Sequence, residues 1–97
     1  MIVKNYYVYL MINKTNSVIY TGVTNNLIRR VSEHRHGKAS SFTGKYNVNK
    51  LVYFETFNKI ILAIIREKQI KAGSRMRKID LIISMNPHFE DLYTKIK

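Results

Sequence analysis

Tyr6-Tyr7-Val8-Tyr9-Leu10-Met11-Ile12, then Asn13-Lys14-Thr15-Asn16-Ser17, then Val18-Ile19-Tyr20-Thr21-Gly22: two aromatic and β-branched runs around a short polar turn decide how this chain begins to fold. Successive side chains of a strand point to opposite faces, so the first run sets Tyr7, Tyr9 and Met11 on one face. Such runs flanking an Asn- and Ser-rich turn read as a β-hairpin.

Downstream, Asn25 or Asn26 is placed to cap a helix over 27–36, and Gly37 stops it. Residues 38–49 carry Gly, Ser, Thr and Asn without periodicity and read as a loop. Residues 51–57 form a third strand. Asn58 then caps a helix over 59–72 closed by Gly73, and Ser74 caps another over 74–85. Asn86-Pro87 ends that helix, because a residue before proline avoids helical ψ. Residues 88–97 have room for one more short helix. The order β-β-α-β-α-α predicts an α+β domain, a three-stranded antiparallel sheet flanked by helices.

The chain has 97 residues, enough for a single domain spanning 1–97. It has no cysteine, which excludes a disulfide framework and thiolate zinc sites. Seventeen Lys and Arg against six Asp and Glu leave a net charge of +11, which points to a polyanionic partner. The run over 6–12 is heavy in tyrosine and leads to no small-residue cleavage site, so it is not a signal peptide. No apolar stretch approaches the roughly 20 residues that cross a bilayer. The chain is therefore read as soluble and cytoplasmic, without a membrane partner.

Polar side chains where periodicity asks for apolar ones mark the candidate site. At about 100° per residue, Arg30 and His34 flank the line through Leu27 and Val31 on the inward stripe, whereas Arg29 and Ser32 face out. Both can snorkel from the edge of that stripe. Alternatively a guanidinium and an imidazole converge there on a phosphate. In the helix over 59–72, Glu67 sits within the arc of Ile60, Ala63, Ile64 and Ile70. A carboxylate there is paired with Arg30 or another base, protonated, or bound to a metal, because burying it bare costs several kcal/mol. The acids are Glu33, Glu55, Glu67, Asp80, Glu90 and Asp91, with no cluster for a two-metal site, so one hard cation held by a single carboxylate and water fits better. Of the seven tyrosines, Tyr9 and Tyr20 lie on adjacent hairpin strands. They are half-buried sheet residues, or one of them, its pKa lowered by a nearby cation, activates a water beside His34.

Tyr7-Val8-Tyr9 and Tyr20-Thr21-Gly22 resemble the two half-motifs that name the GIY-YIG nucleases, with Arg30 on the following helix, Glu67 on a later one and Asn86 after it. The likeness runs from Tyr6 to about Tyr93 and is closest to small stand-alone bacterial members, more distantly to the N-terminal nuclease domain of the bacterial repair excinuclease. Tyr7 stands where the first motif has glycine, and Thr21 occupies the middle of the second. The resemblance implies a metal-dependent endonuclease acting on DNA rather than RNA, structure-specific in repair or recombination. Glu67 would hold Mg²⁺ or Mn²⁺, Tyr9 or Tyr20 with His34 would activate the water, and Arg30 would neutralise the transition state. Asn86 would orient Glu67 or a water.

Binding is expected from Arg29, from Lys38, Lys45 and Tyr46 in the loop, and from Arg66, Lys68, Lys71, Arg75, Arg77 and Lys78. Tyr46 and Phe42 are candidates to stack on unpaired bases. The rival reading is a non-catalytic basic module that retains the fold. A protein-interaction domain has only the apolar run over 60–65 for support, and a core accounts for that run.

Overall fold

β1 (Tyr6–Ile12) is apolar on both faces, and the fold buries both: Val8, Tyr9, Leu10, Met11 and Ile12 are each at most 1% exposed. A strand buried on both faces along most of its length suits the centre of a sheet. In the computed structural model, which describes residues 4–37 and 41–97, β1 lies between β2 (Ile19–Thr24) and β3 (Lys50–Phe57), antiparallel to each. Val8, Leu10 and Ile12 point to one side, where α3 (Ile60–Ala72) and α4 (Arg75–Met85) contribute Ala63, Ile70 and Ile82. Tyr9 and Met11 point to the other, where α1 (Leu27–Arg35) contributes Leu27 and Val31, and the C-terminal turn α5 (Tyr93–Ile96) closes over them. This is the α+β architecture and element order that the patterning predicts.

Three local features differ from the sequence reading. A short helix, α2 (Ser41–Lys45), stands within the stretch expected to be loop. One turn has no periodicity to detect, and isolated turns this short are unstable without tertiary contacts. The cap position of α3 is Lys59 rather than Asn58, with no side-chain cap bond. The apolar run at the start of α3 is only partly core: Ile60, Ile61, Leu62 and Ile65 are 52%, 57%, 45% and 48% exposed.

Three hydrogen-bonded ties hold the layers together. Pairing of β1 with β3 shifts between Leu10 and Met11, leaving Val52 as the extra residue of a bulge. The Asn86 amide, at the end of α4, donates to the Val52 carbonyl at 3.2 Å. Arg75, at the start of α4, donates to the carbonyls of Asn16 (2.6 Å) and Ser17 (2.8 Å), clamping the hairpin turn to the α3–α4 junction. At the outer edge of β3, the Leu92 amide donates to the Leu51 carbonyl at 2.7 Å, and the Leu51 amide donates to the Asp91 carboxylate at 3.2 Å.

The hairpin register sets Tyr9 opposite Gly22. A Cβ on Gly22 would stand 2.5 Å from both the Tyr9 hydroxyl and the ring carbon that bears it. The Tyr9 ring therefore lies over a residue that must lack a side chain. Gly22→Ala is expected to destabilise the fold by about 1–3 kcal/mol through overpacking. The control is Gly44→Ala, where a Cβ meets nothing closer than 3.7 Å. Urea unfolding of both variants checks this, and equal losses would refute the close-approach explanation.

Candidate active site

Tyr9, Tyr20 and His34 form a cluster of mutually tilted rings, with interplanar angles of 43–59°. The ring centroids are 6.2 Å apart for Tyr9–Tyr20, 5.7 Å for Tyr9–His34 and 5.1 Å for Tyr20–His34. β1 supplies Tyr9, β2 supplies Tyr20, and α1 turns His34 inward because Asn26 caps it, accepting from the Arg29 amide at 3.1 Å. His34 is 2% exposed, and each ring nitrogen has a partner: Nε2 lies 2.8 Å from the Tyr9 hydroxyl and Nδ1 lies 3.0 Å from the Thr43 hydroxyl.

Burial, followed by the Arg30 charge, lowers the His34 pKa to about 4, so the imidazole is neutral at pH 7. Burial also raises the Tyr9 pKa, against a smaller opposing effect from Arg30. This corrects the expectation of a lowered phenol for Tyr9: desolvation outweighs the cation beside it. A protonated phenol facing a neutral imidazole fixes the tautomer. Tyr9 donates to Nε2, and Nδ1–H donates to Thr43.

Arg30 is half-buried and pairs with Glu33 on its own helix at 3.3 Å. It looks into a cavity of about 430 Å³ lined by Thr24, Arg29, Arg30 and Glu33 on one side and Ile60 and Ile64 of α3 on the other. The cavity wraps the outer edge of β2, where α1 and α3, on opposite faces of the sheet, meet the same space.

α3 starts beside Thr24, and Arg75, just past its end, grips the hairpin turn. The helix therefore runs back along β2, with Glu67 between these points. Glu67 lies one turn beyond Ile64 and roughly 40° around the helix from the buried Ala63, towards the Ile60 and Ile64 side. It is half-buried, yet it takes part in none of the ion pairs among the described residues. The alternative of a structural pair with Arg30 is not what the fold contains, since Arg30 pairs with Glu33.

Residues 5–80 match the GIY-YIG catalytic domain. The chain belongs to the GIY-YIG family. Among its relatives, a UPF0213 protein of Clostridium perfringens (strain 13 / Type A) is 42% identical over 78 residues, covering 80% of this chain and 83% of the relative. A UPF0213 protein of Natronomonas pharaonis is 36% identical over 78 residues, covering 80% and 91%. The solution NMR structure of a UPF0213 protein from Bacillus halodurans shares the fold with a TM-score of 0.58 and 31% identity, over 96% of this chain and 97% of that one.

The GIY-YIG half-motifs thus supply the two tyrosines of the ring cluster, and Gly22 of the second makes room for the tyrosine of the first. The structure brings Tyr9, Tyr20, Arg30 and His34 together, with Glu67 across the β2 edge. Asn86 is engaged elsewhere: besides Val52, its amide donates to the Glu90 carbonyl (2.7 Å) and accepts from the Glu90 amide (3.0 Å). The resemblance gives Asn86 the role of orienting Glu67 or a water; in the fold its amide engages the backbone around the β3 bulge. Thr43, which fixes the His34 tautomer, escaped sequence reading because nine residues and an unrecognised turn of helix separate them.

The basic residues divide in the same way. Arg66 binds Glu55 through three hydrogen bonds of 3.0–3.1 Å, and Arg75 serves the hairpin clamp, so neither offers a free guanidinium. Arg29, Lys68, Lys71 and Arg77 are exposed and Lys78 is half-buried. Lys45 lies over the exposed ring of Tyr46, 5.4 Å from its centre. Lys38 lies outside the described residues, as does the side chain of Phe42. Among the described residues, no helix is long and apolar enough to cross a membrane.

His34 makes stability depend on pH. The unfolded chain takes up the imidazole proton near the usual value of 6.5, whereas the fold resists it down to about 4. Between these values the unfolded state holds more protons, so this contribution is complete above pH 6.5 and is lost as pH falls towards 4. On going from pH 7 to pH 5, His34→Gln is expected to lose about 1–2 kcal/mol less stability than the parent chain. Denaturant titrations at the two pH values measure it, and parallel losses would refute the neutral buried imidazole.

Proposed function

We propose that this GIY-YIG chain is an endonuclease that hydrolyses DNA phosphodiesters with one divalent cation, Mg²⁺ or Mn²⁺, held by Glu67. The observation that carries this reading is Glu67 itself: a half-buried carboxylate outside every ion pair of the described residues, on the side of α3 that faces the Arg30 cleft. Among the described residues, no three His, Cys, Asp or Glu side chains gather at one point. Glu67 alone would hold the cation, a donor set that suits magnesium better than zinc. Once bound, such an ion supplies Lewis-acid polarisation of the phosphate.

The remaining chemistry belongs to side chains. Tyr9 is 1% exposed and Tyr20 half-buried, so Tyr20 is the tyrosine that can hold a water. Behind it, the Tyr9–His34–Thr43 hydrogen-bond chain holds the rings in place, and the attacking water passes its proton to the Tyr20 oxygen as the phenol protons shift through Tyr9 to His34 Nε2, the neutral base of the cluster. Arg30 meets the extra charge of the pentacovalent transition state, where a preorganised donor contributes most. Arg29, Lys68, Lys71, Arg77 and Lys78 supply attraction to phosphate without reading bases.

The test is single-turnover cleavage of flap, single-stranded and duplex DNA with Mg²⁺ or Mn²⁺, alongside binding at several salt concentrations. Glu67→Gln should bind normally and stop cutting. Arg30→Ala should slow cutting by roughly 10²–10³-fold with little loss of affinity, whereas Arg29→Ala should weaken binding and spare the chemical step. Affinity should fall with salt at a log–log slope of roughly −3 to −5. Cutting by Glu67→Gln at the parental rate would remove the carboxylate from the mechanism, and a flat salt response on every nucleic acid would remove the partner.

A further inference from the structure

The nuclease reading leaves the apolar crest of α3 without a role. Ile61, Leu62 and Ile65 occupy its outward surface at 57%, 45% and 48% exposure, clear of the core that Ala63 and Ile70 enter. Ile60 extends the crest to the lip of the cleft, where it lines the same cavity as Arg30. Exposed clusters of this kind mark contact sites more often than accidents.

The flanks of the crest are cationic on both sides. Lys68 and Lys71 follow it on the cleft side of α3. On the other side, Arg77 and Lys78 line a groove of about 650 Å³ between α3 and α4, with Asp80 as its only acid. Two copies of this chain meeting crest to crest would set lysine against lysine. An apolar surface between two anionic rails fits far better, and the open end of a nucleic-acid duplex presents that pattern: a base-pair face between two phosphate backbones.

We propose that Ile61, Leu62 and Ile65 form a wedge that stacks on the last base pair of a duplex where its strands part, so that this chain prefers branched DNA over continuous duplex. The inference deepens the nuclease reading and rests on it. Wedges of aliphatic side chains are a known means of holding unstacked base steps. Ile61 lies about 9 Å along the helix axis from Glu67 and about 120° around it, which sets the cut a few nucleotides from the junction.

The experiment compares a splayed-arm duplex with a duplex closed by hairpins at both ends, titrated with the full chain in EDTA so that nothing is cut. The parent chain should prefer the splayed arm by about tenfold, the scale of one stacking contact. Ile61→Gln/Ile65→Gln should bring that preference within about twofold while keeping the affinity and salt slope on closed duplex, since only stacking is removed. Ile65→Phe should raise the preference, because an aromatic face stacks better. Sedimentation of each variant accompanies the titrations.

A preference that survives the double substitution overturns the wedge, as does equal binding of both DNAs by the parent chain. A parent dimer that the double variant dissolves also overturns it, by assigning the crest to a second copy. Failure to bind either DNA would instead overturn the nuclease reading on which the wedge stands.

Discussion

The hydroxyl of Tyr9 is buried where water does not reach, and leaving such a group unpaired costs about 1–3 kcal/mol. Its bond to His34 Nε2 is therefore a constraint that propagates. The imidazole must stay neutral to accept it, Thr43 must take the proton on the other nitrogen, and Gly22 must stay bare for the ring to lie flat. One phenol thus fixes the hairpin register, the rotation of α1 and the docking of α2. The half-motifs of the family, read physically, are the two ends of this packing problem.

The site is assembled from both faces of the sheet. The rings and Arg30 belong to the α1 face and Glu67 to the α3 face, and around the outer edge of β2 Arg30 shares its cavity with Ile60 and Ile64, two turns and one turn before Glu67 on α3. Their separation is set by the packing of α3 on the sheet and by the Arg75 clamp, which joins the far end of the hairpin to the end of α3. The 17 Lys and Arg overstate the cationic side chains free to meet a phosphate backbone. Arg30, Arg35 and Arg66 face carboxylates, and Arg75 is occupied by backbone carbonyls.

What the sequence made legible is what local rules encode. Alternation revealed the hairpin, and Asn26 and Ser74 announced their helices. Arg30, His34 and Glu67 stood out as polar side chains on apolar stripes. What stayed hidden depended on distance in space. Tyr9 and Tyr20 are the same residue type on the same face, and only strand order, central against edge, buries one and leaves the other half-open. Asn86 could not be recognised as the partner of a bulge carbonyl before the bulge was known. α3 begins with apolar residues on every side, so periodicity could not separate core from surface there.

The tail bonds at the rim of β3 bear on the fate of this protein at high concentration. A border strand with unsatisfied amides and carbonyls is a template on which other molecules can add strands, the first step towards fibrils. Both polar groups of Leu51 are engaged, one by the Leu92 amide and the other by the Asp91 side chain, and Arg35 holds that same carboxylate in place. Residues 91–97 thus act as a guard rail: trimming them would free both polar groups of Leu51 for pairing with another strand and would uncover the Tyr9 and Met11 side of the core that α5 closes.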